Sequence, residues 1–212
     1  SNPFENDVKW EDIRIANGLD NSQVIWDWLG YWSNSSTLRT GKGYYFLAPS
    51  WVSSLHIPYN SKKTSLSYDT NSETSNSLTL SLYKEEQKSG SIQVLFHQEA
   101  KSGADKFDIP IPSGDFEKTG IRILPELIDN QRNRELFLDA RSSVADGQSY
   151  RIRFTNRSGD LLRLQIEGVE HFPSSEIFLV IPRLHKKIDL KSAQNLDPGS
   201  ETEQMTLLIG NI

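Results

Sequence analysis

Ser77-Leu78-Thr79-Leu80-Ser81-Leu82-Tyr83 decides the fold, because leucines occupy every second position and small polar residues lie between them. A period of two is typical of a β-strand with one buried and one solvated face. The same alternation recurs at residues 91–97, 150–155 and 162–167, and further strands are predicted at 136–141, 177–181, 187–190 and 205–209. The sequence therefore predicts an all-β fold, an antiparallel β-sandwich resembling a jelly roll.

Two strand details follow from the same pattern. The segments Tyr150–Asn156 and Leu161–Glu167 are separated by Arg157-Ser158-Gly159-Asp160, and such turn residues predict a β-hairpin. The apolar run Ile177–Ile181 predicts a strand covered on both faces.

Helical signal is confined to the beginning of the chain. Trp10–Gly18 is predicted to form a short helix, with Asp7 as its N-cap and Gly18 as its stop. The stretch 120–130 contains Pro125 and is predicted to be strand and loop.

Composition limits the classes of function. A chain of 212 residues can bury a core, and its net charge of −5 argues against a nucleic-acid partner. The absence of cysteine excludes disulfides, thiolate catalysis and cysteine-ligated zinc. No apolar run approaches the roughly 18 residues of a membrane helix, so membrane insertion is not expected. Abundant Ser, Thr and Asn favour an exported, extracellular protein, and the opening Ser1-Asn2-Pro3-Phe4 suggests a fragment with a targeting segment upstream.

The polar stretch Asn60–Ser77 is the best candidate for a boundary. It is either a flexible linker or a long loop within one sandwich, and the loop is preferred because 60 residues make a weak core. The predicted organisation is a Trp-rich β segment at 1–60, either separate from or part of the same sandwich, followed by an antiparallel sandwich at 77–212.

All five tryptophans lie between Trp10 and Trp51. So dense an aromatic block either fills a small core or forms a surface on which flat ligands such as sugars stack. Most of these rings are expected in the core. Tyr31, Tyr45 and Trp51 are predicted to be the solvent-facing residues of a ligand-binding site.

Strand alternation orders the remaining rings of the block. Trp26 and Trp28 are predicted to share one face while Asp27 points away. Trp32 joins that face if the strand continues through Gly30 without a bulge. A sugar platform would need coplanar rings beside a polar group such as Asp27 or Asn34.

No residue pattern indicates catalysis or a transition metal. The four histidines, His56, His97, His171 and His185, lack metal-ligand spacing. There is no Gly-x-Ser-x-Gly elbow and no phosphate-binding loop, so an enzyme and a cofactor are not expected. Structural calcium is the one ion considered, with oxygen ligands from three acidic groups: Glu5–Asp7, Glu11-Asp12, and Asp105 with Asp108 and Asp115.

Basic residues concentrate at Arg151, Arg153, Arg157 and Arg163. On a hairpin, Arg151, Arg153 and Arg163 would project from one polar face. That face either binds an anionic polysaccharide or forms ordinary ion pairs with nearby glutamates.

Several of these motifs together resemble a known module. The N-terminal part, Asn2-Pro3-Phe4, Trp10-Glu11-Asp12 and Thr37-Leu38-Arg39-Thr40-Gly41-Lys42-Gly43-Tyr44-Tyr45-Phe46, is similar to a β-rich domain of large secreted surface proteins, often those exported by the type IX secretion system. Leu138–Arg141, Gln148–Ile152 and Leu207–Gly210 occupy similar places downstream. Thr40 stands where that pattern usually has proline, and Tyr150 where it often has tryptophan.

The resemblance implies a non-catalytic extracellular accessory, spacer or adhesion domain beside a C-terminal sorting or anchoring domain. Its partners would be neighbouring domains of the parent bacterial cell-surface protein. Two alternatives remain open: a carbohydrate-binding module that uses the aromatic block to hold a glycan, and a protein–protein interaction domain.

Overall fold

The computed structural model of the chain is mostly β, with one large curled mixed sheet, and the predicted all-β, sandwich-like class is confirmed. It describes residues 2, 6–58, 76–101, 105–115, 117–125, 134–142, 147–193, 195–198 and 203–210. The chain divides into two compact units, Ser1–Thr74 and Ser75–Ile212. Most of the predicted boundary stretch Asn60–Ser77 lies outside the described residues.

The first unit is a small assembly of short elements. They are β1 (Val8–Lys9), α1 (Trp10–Ala16), β2 (Ile25–Trp28), β3 (Trp32–Ser35), β4 (Thr37–Leu38) and β5 (Tyr45–Phe46). β1 pairs antiparallel with β4, and β2 is the centre of a three-stranded sheet between β3 and β5. The core of this unit is formed by Val8, Trp10, Ile13, Leu19, Ile25 and Leu38.

The predicted helix is present, but its predicted N-cap is wrong. Lys9 is the N-cap residue of α1 and makes no side-chain capping bond. Asp7 instead accepts a hydrogen bond of 2.9 Å from the backbone N–H of Thr40, because β1 separates Asp7 from the helix. The predicted stop is confirmed: Gly18 has a φ of +62°, and the Leu19 N–H donates to the Arg14 carbonyl at 3.0 Å. No helix in the described ranges combines the length and apolar character needed to cross a membrane.

The described residues of the second unit form one sheet of eleven strands. They are β6 (Asn76–Lys84), β7 (Gln87–Phe96), β8 (Ile109–Pro110), β9 (Thr119–Leu124), β10 (Leu136–Arg141), β11 (Gln148–Asn156), β12 (Leu162–Glu167), β13 (Glu176–Ile181), β14 (Lys186–Asp189), β15 (Asn195–Leu196) and β16 (Glu203–Gly210). Two short 3-10 helices cover Val169–His171 and Pro182–Leu184.

The strand order explains why the sheet is curled. It runs β14-β13-β16-β11-β9-β10-β7-β6-β12-β15, with β8 paired to β10. Strands far apart in this order contribute to one core, which includes Leu80 of β6, Ile152 of β11 and Leu207 of β16, all fully buried. β10 runs parallel to β7, with Asp139 opposite Val94, so the sheet is mixed rather than purely antiparallel.

The predicted hairpin of β11 and β12 is wrong. β11 pairs with β9 and β16, whereas β12 pairs with β6 and β15. Both edges of β11 are therefore filled by strands from elsewhere in the chain. The link 157–161 crosses instead of turning back, and it is held by the Arg157 N–H, which donates to the Lys118 carbonyl at 2.6 Å.

Burial follows the alternation on which the fold prediction rested. Leu78, Leu80 and Leu82 are fully buried, as are the inward residues of β11. In β13 the odd-numbered residues are fully buried, whereas Phe178 and Val180 are half-buried. The sequence predicts that both faces of this strand are covered. In the structure one face is fully buried and the other is half-buried.

Candidate functional site

Four aromatic side chains lie on one face of the three-stranded sheet of the first unit: Trp28, Trp32, Tyr45, and Trp26, which is only 1% exposed. Trp28 is directly opposite Trp32 in the pairing of β2 with β3, and Tyr45 of β5 is opposite Trp26, two residues before Trp28. The ring centroids of Trp28 and Trp32 are 5.1 Å apart, and those of Trp32 and Tyr45 are 5.6 Å apart. We call Trp28, Trp32 and Tyr45 the aromatic row.

The opposite face of this sheet explains why the row is exposed. Ile25 and Phe46 are opposite each other on that second face and pack into the unit's core, where Phe46 lies 5.2 Å from Trp10 between ring centroids. The row is therefore on the face that does not pack into that core. Trp28 is 43% exposed and Tyr45 is 42% exposed.

The structure separates the predicted site residues. Tyr45 belongs to the aromatic row, whereas Tyr31 is half-buried in the β2–β3 turn, where its carbonyl accepts a bond from the Leu29 N–H. Trp51 is 63% exposed in the loop after β5. Within the described part of the chain, no ring contact joins Trp51 to the row.

Sequence reasoning missed Trp28 and Trp32 as site residues. The strand does not continue through Gly30, because the chain reverses there with a Gly30 φ of +90°. Trp32 nevertheless reaches the face of Trp28 as its cross-strand partner. The signal that could have found this pair is the turn-forming glycine between two short aromatic strands.

The rings of the row are not coplanar. The interplanar angle is 65° between Trp28 and Trp32 and 49° between Trp32 and Tyr45. Such tilted pairs stabilise each other by about 0.5–1.5 kcal/mol. They form a ridged apolar surface, and a flat ligand can lie against only one ring at a time.

The two polar residues considered for a sugar platform lie on different faces of this sheet, and Asp27 points away from Trp28 as predicted. Asp27 lies on the opposite face, and its carboxylate is 3.8 Å from Lys42 Nζ. Asn34 is exposed and lies opposite Trp26, on the face of the row. The Asn34 amide is thus one hydrogen-bonding group that this face offers a ligand.

The carboxylates that the sequence offers as calcium ligands accept hydrogen bonds from other groups of the protein. The Asp105 carboxylate accepts backbone N–H bonds from Lys101 and Phe107, and that of Asp108 accepts bonds from Ala140 and Asp105. Burial raises the pKa of Asp108 to about 6, and the nearby Asp139 and Asp105 carboxylates add to this rise. Asp115 accepts a bond from the Ser113 hydroxyl at 2.9 Å.

Within the described ranges, no three His, Asp or Glu side chains form a group able to hold a metal ion. Glu5 lies outside the described residues, and Glu11 forms a bidentate pair with Arg14.

The arginines predicted to share one face are divided between distant strands. Arg151 and Arg153 lie on one face of β11, whereas Arg163 belongs to β12, where it is 3.9 Å from Glu86. The prediction was wrong because it depended on the hairpin.

No protein-family model, curated protein or solved structure matches this chain. The fold and the surface therefore define its class directly: an all-β, sandwich-like protein with an exposed aromatic row on a small separate sheet.

Proposed function

We propose that the chain is a non-catalytic accessory or adhesion domain of a larger extracellular, cell-surface protein, and that it contacts its partner through the aromatic row. The observation that carries this proposal is the exposure of Trp28 and Tyr45 beside Trp32 on one sheet face. Tryptophan and tyrosine are enriched among the residues that dominate binding energy at protein interfaces. The extracellular setting rests on the sequence resemblance.

Exposed large apolar side chains are concentrated in the first unit. Five of the seven large apolar residues that are exposed in the described ranges belong to this unit: Ile15, Trp28, Leu29, Tyr45 and Trp51. Exposed apolar residues scattered singly need no explanation, but a contiguous row does. The partner is then a protein surface with an apolar patch, and the neighbouring domains of the parent protein are the first candidates.

A carbohydrate-binding module is the second candidate. It is favoured by Asn34, whose side chain lies on the same face as the row and can bond a sugar hydroxyl. The tilt between the rings limits stacking to one sugar unit per ring. The geometry thus supports a protein partner more than an extended flat glycan.

Acrylamide quenching of tryptophan fluorescence distinguishes the two. Trp51→Phe removes an exposed indole that lies off the row, so the remaining accessible tryptophan signal reports on Trp28 and Trp32. We expect that signal to be shielded when the adjoining domains of the parent protein are present and to be unchanged by a panel of soluble glycans. Shielding by a glycan would support the second candidate instead.

A matched pair of variants completes the test. Trp28→Ala is expected to weaken binding to the adjoining domains by about 2 kcal/mol or more, roughly thirtyfold. Trp51→Ala, which removes an exposed ring off the row, is expected to leave binding unchanged. The proposal would be overturned if acrylamide quenched the tryptophans of the row equally in the chain alone, with the adjoining domains and with the glycans.

A further inference from the structure

We propose that the second unit binds a carboxylate or sulfate group in a cleft of about 510 Å³ on the outer face of β9 and β11. Arg134, Arg151 and Arg153 line it together with Glu135, Ser113 and Gln204. We call it the arginine cleft. It lies on the second unit and does not depend on the aromatic row.

The strand pattern of β11 places two of these arginines. Tyr150, Ile152 and Phe154 are fully buried, so the residues between them, Arg151 and Arg153, project from the other face. Arg153 lies opposite Arg122 of β9 in the pairing of the two strands. Two guanidinium groups therefore stand two residues apart along one exposed surface.

Few of the N–H donors in the cleft are already used. A guanidinium has five donors. Arg151 donates from Nη2 to the Pro125 carbonyl at 2.6 Å, and Arg153 donates from Nη1 to Glu135. Arg134 is exposed and forms no hydrogen bond or ion pair with any described residue. Most donors of these three side chains thus remain available to a ligand.

The carboxylates of the cleft do not neutralise it. The described lining residues include three arginines but only two carboxylates, Asp115 and Glu135, so the cleft is net positive in a chain of net charge −5. Glu135 is also 3.3 Å from the buried Arg122, so one carboxylate is shared by two guanidinium groups. No described carboxylate forms an ion pair with Arg134 or Arg151.

The ligand class follows from this donor set. Planar guanidinium groups bind carboxylate, sulfate and phosphate oxygens through paired, charge-assisted hydrogen bonds. The cleft volume suits a group of monosaccharide size. A sugar acid fits both features, either free or as one unit of an acidic polysaccharide, with Ser113 and Gln204 as further hydrogen-bonding groups.

Isothermal titration of the whole chain at constant ionic strength tests the proposal, with sodium sulfate, monomeric galacturonate and polygalacturonate as probes. We expect saturable binding of galacturonate. A free sugar acid as the true ligand gives equal affinity per site for monomer and polymer, whereas a polysaccharide gives tighter binding of the polymer. No saturation by any of the three probes at millimolar concentration would overturn the proposal.

Variants connect binding to the cleft. Arg134→Gln and Arg151→Gln are each expected to weaken binding about tenfold, since each removes charge-assisted bonds. Arg163→Gln is the matched control, because it makes the same charge change on β12, outside the cleft. An equal loss in Arg163→Gln would show that only the overall charge matters and would contradict the assignment. Unchanged thermal melting of each variant shows that the fold is intact.

Discussion

The guanidinium of Arg141 lies over the ring of Tyr150, with Cζ 4.2 Å from the ring centroid. Arg141 also donates to both carboxylate oxygens of Asp139, at 3.3 and 3.2 Å. Tyr150 is fully buried, and its hydroxyl has no hydrogen-bond partner among the described residues. Burial raises the pKa of Tyr150 well above its ordinary value. The ring therefore stabilises this contact by stacking, while the hydroxyl carries a desolvation cost.

Replacing Tyr150 with phenylalanine is expected to leave stability unchanged or to raise the free energy of unfolding by up to about 1 kcal/mol. The stack with Arg141 is kept and an unpaired buried hydroxyl is removed. Urea unfolding measures the change, and Tyr150→Leu, which loses the ring, is expected to be destabilised. A clear loss of stability in Tyr150→Phe would show that the hydroxyl contributes a bond.

Asp108 is expected to make stability depend on pH. It is 6% exposed, and its pKa rises from an ordinary value of 3.8 to about 6 in the folded chain. Between these values the folded state keeps a proton that the unfolded state has released. The protonated Asp108 carboxyl therefore contributes to the free energy of unfolding. This contribution is full below about pH 4 and is lost as pH rises through about 6, and the loss is on the order of 3 kcal/mol.

The measurement is urea unfolding of the wild type and of Asp108→Asn at pH values from 4 to 7. The asparagine variant loses one backbone hydrogen bond, so it is expected to be less stable at low pH. The difference between the two proteins should shrink as pH rises from 4 to 7. A difference independent of pH would contradict the raised pKa.

Gly168 is expected to tolerate no side chain. Its φ is +92°, and a Cβ there would stand 2.2 Å from the Ser77 carbonyl oxygen. Gly168→Ala should lower the free energy of unfolding by about 3 kcal/mol, from backbone strain and the displaced carbonyl together. Gly159→Ala is the control: its φ of +69° is similar, but nothing lies within 4 Å of the added Cβ. Gly159→Ala is expected to lower the free energy of unfolding by about 1 kcal/mol. Equal losses in the two variants would exclude the clash with the Ser77 carbonyl as the cause.

The buried pair of Arg122 and Glu117 is expected to be costly to break. Their side chains are 4% and 5% exposed, and Arg122 Nη2 lies 2.6 Å from the Glu117 carboxylate. Glu117→Gln leaves the buried guanidinium to share the Glu135 carboxylate with Arg153, and should destabilise the chain by about 3 kcal/mol.

Chemical denaturation of three proteins checks this prediction. Glu86→Gln is the control, because Glu86 is almost fully exposed beside Arg163 and should change nothing measurable. Adding Arg122→Met to Glu117→Gln should recover part of the loss, since the buried positive charge that lost one of its two carboxylates is gone. Failure of the double variant to recover would show that Arg122 has a role beyond the ion pair.

The sequence predicted strands well where one face is buried. Leu80 and Ile152 are fully buried, as their alternation required, because a period of two depends only on the strand itself. Pairing depends on distant residues, and for that reason the predicted neighbour of β11 was wrong. The two-residue strands β8 and β15 are too short to show any period.

The candidate site was predicted less completely for the same reason. The sequence predicts Tyr45 as a solvent-facing residue, but it leaves the face of its ring neighbour Trp32 conditional on a strand that continues through Gly30. Its position depends on a reversal of the chain at Gly30, which a rule for single strands does not contain. The arginine cleft depends on the 111–115 loop lying over β9 and β11, a long-range contact with no local pattern.

The position of β16 has a consequence for how the second unit is made. β16 is the last strand of the sheet in chain order, yet it lies between β11 and β13 and bonds to both. Until residues 203–210 leave the ribosome, each of those strands has an open edge, which can pair wrongly with another chain. The unit therefore cannot close strand by strand during synthesis. The sheet of this unit is complete only once this last strand inserts, and until then the edges of β11 and β13 are open to aggregation.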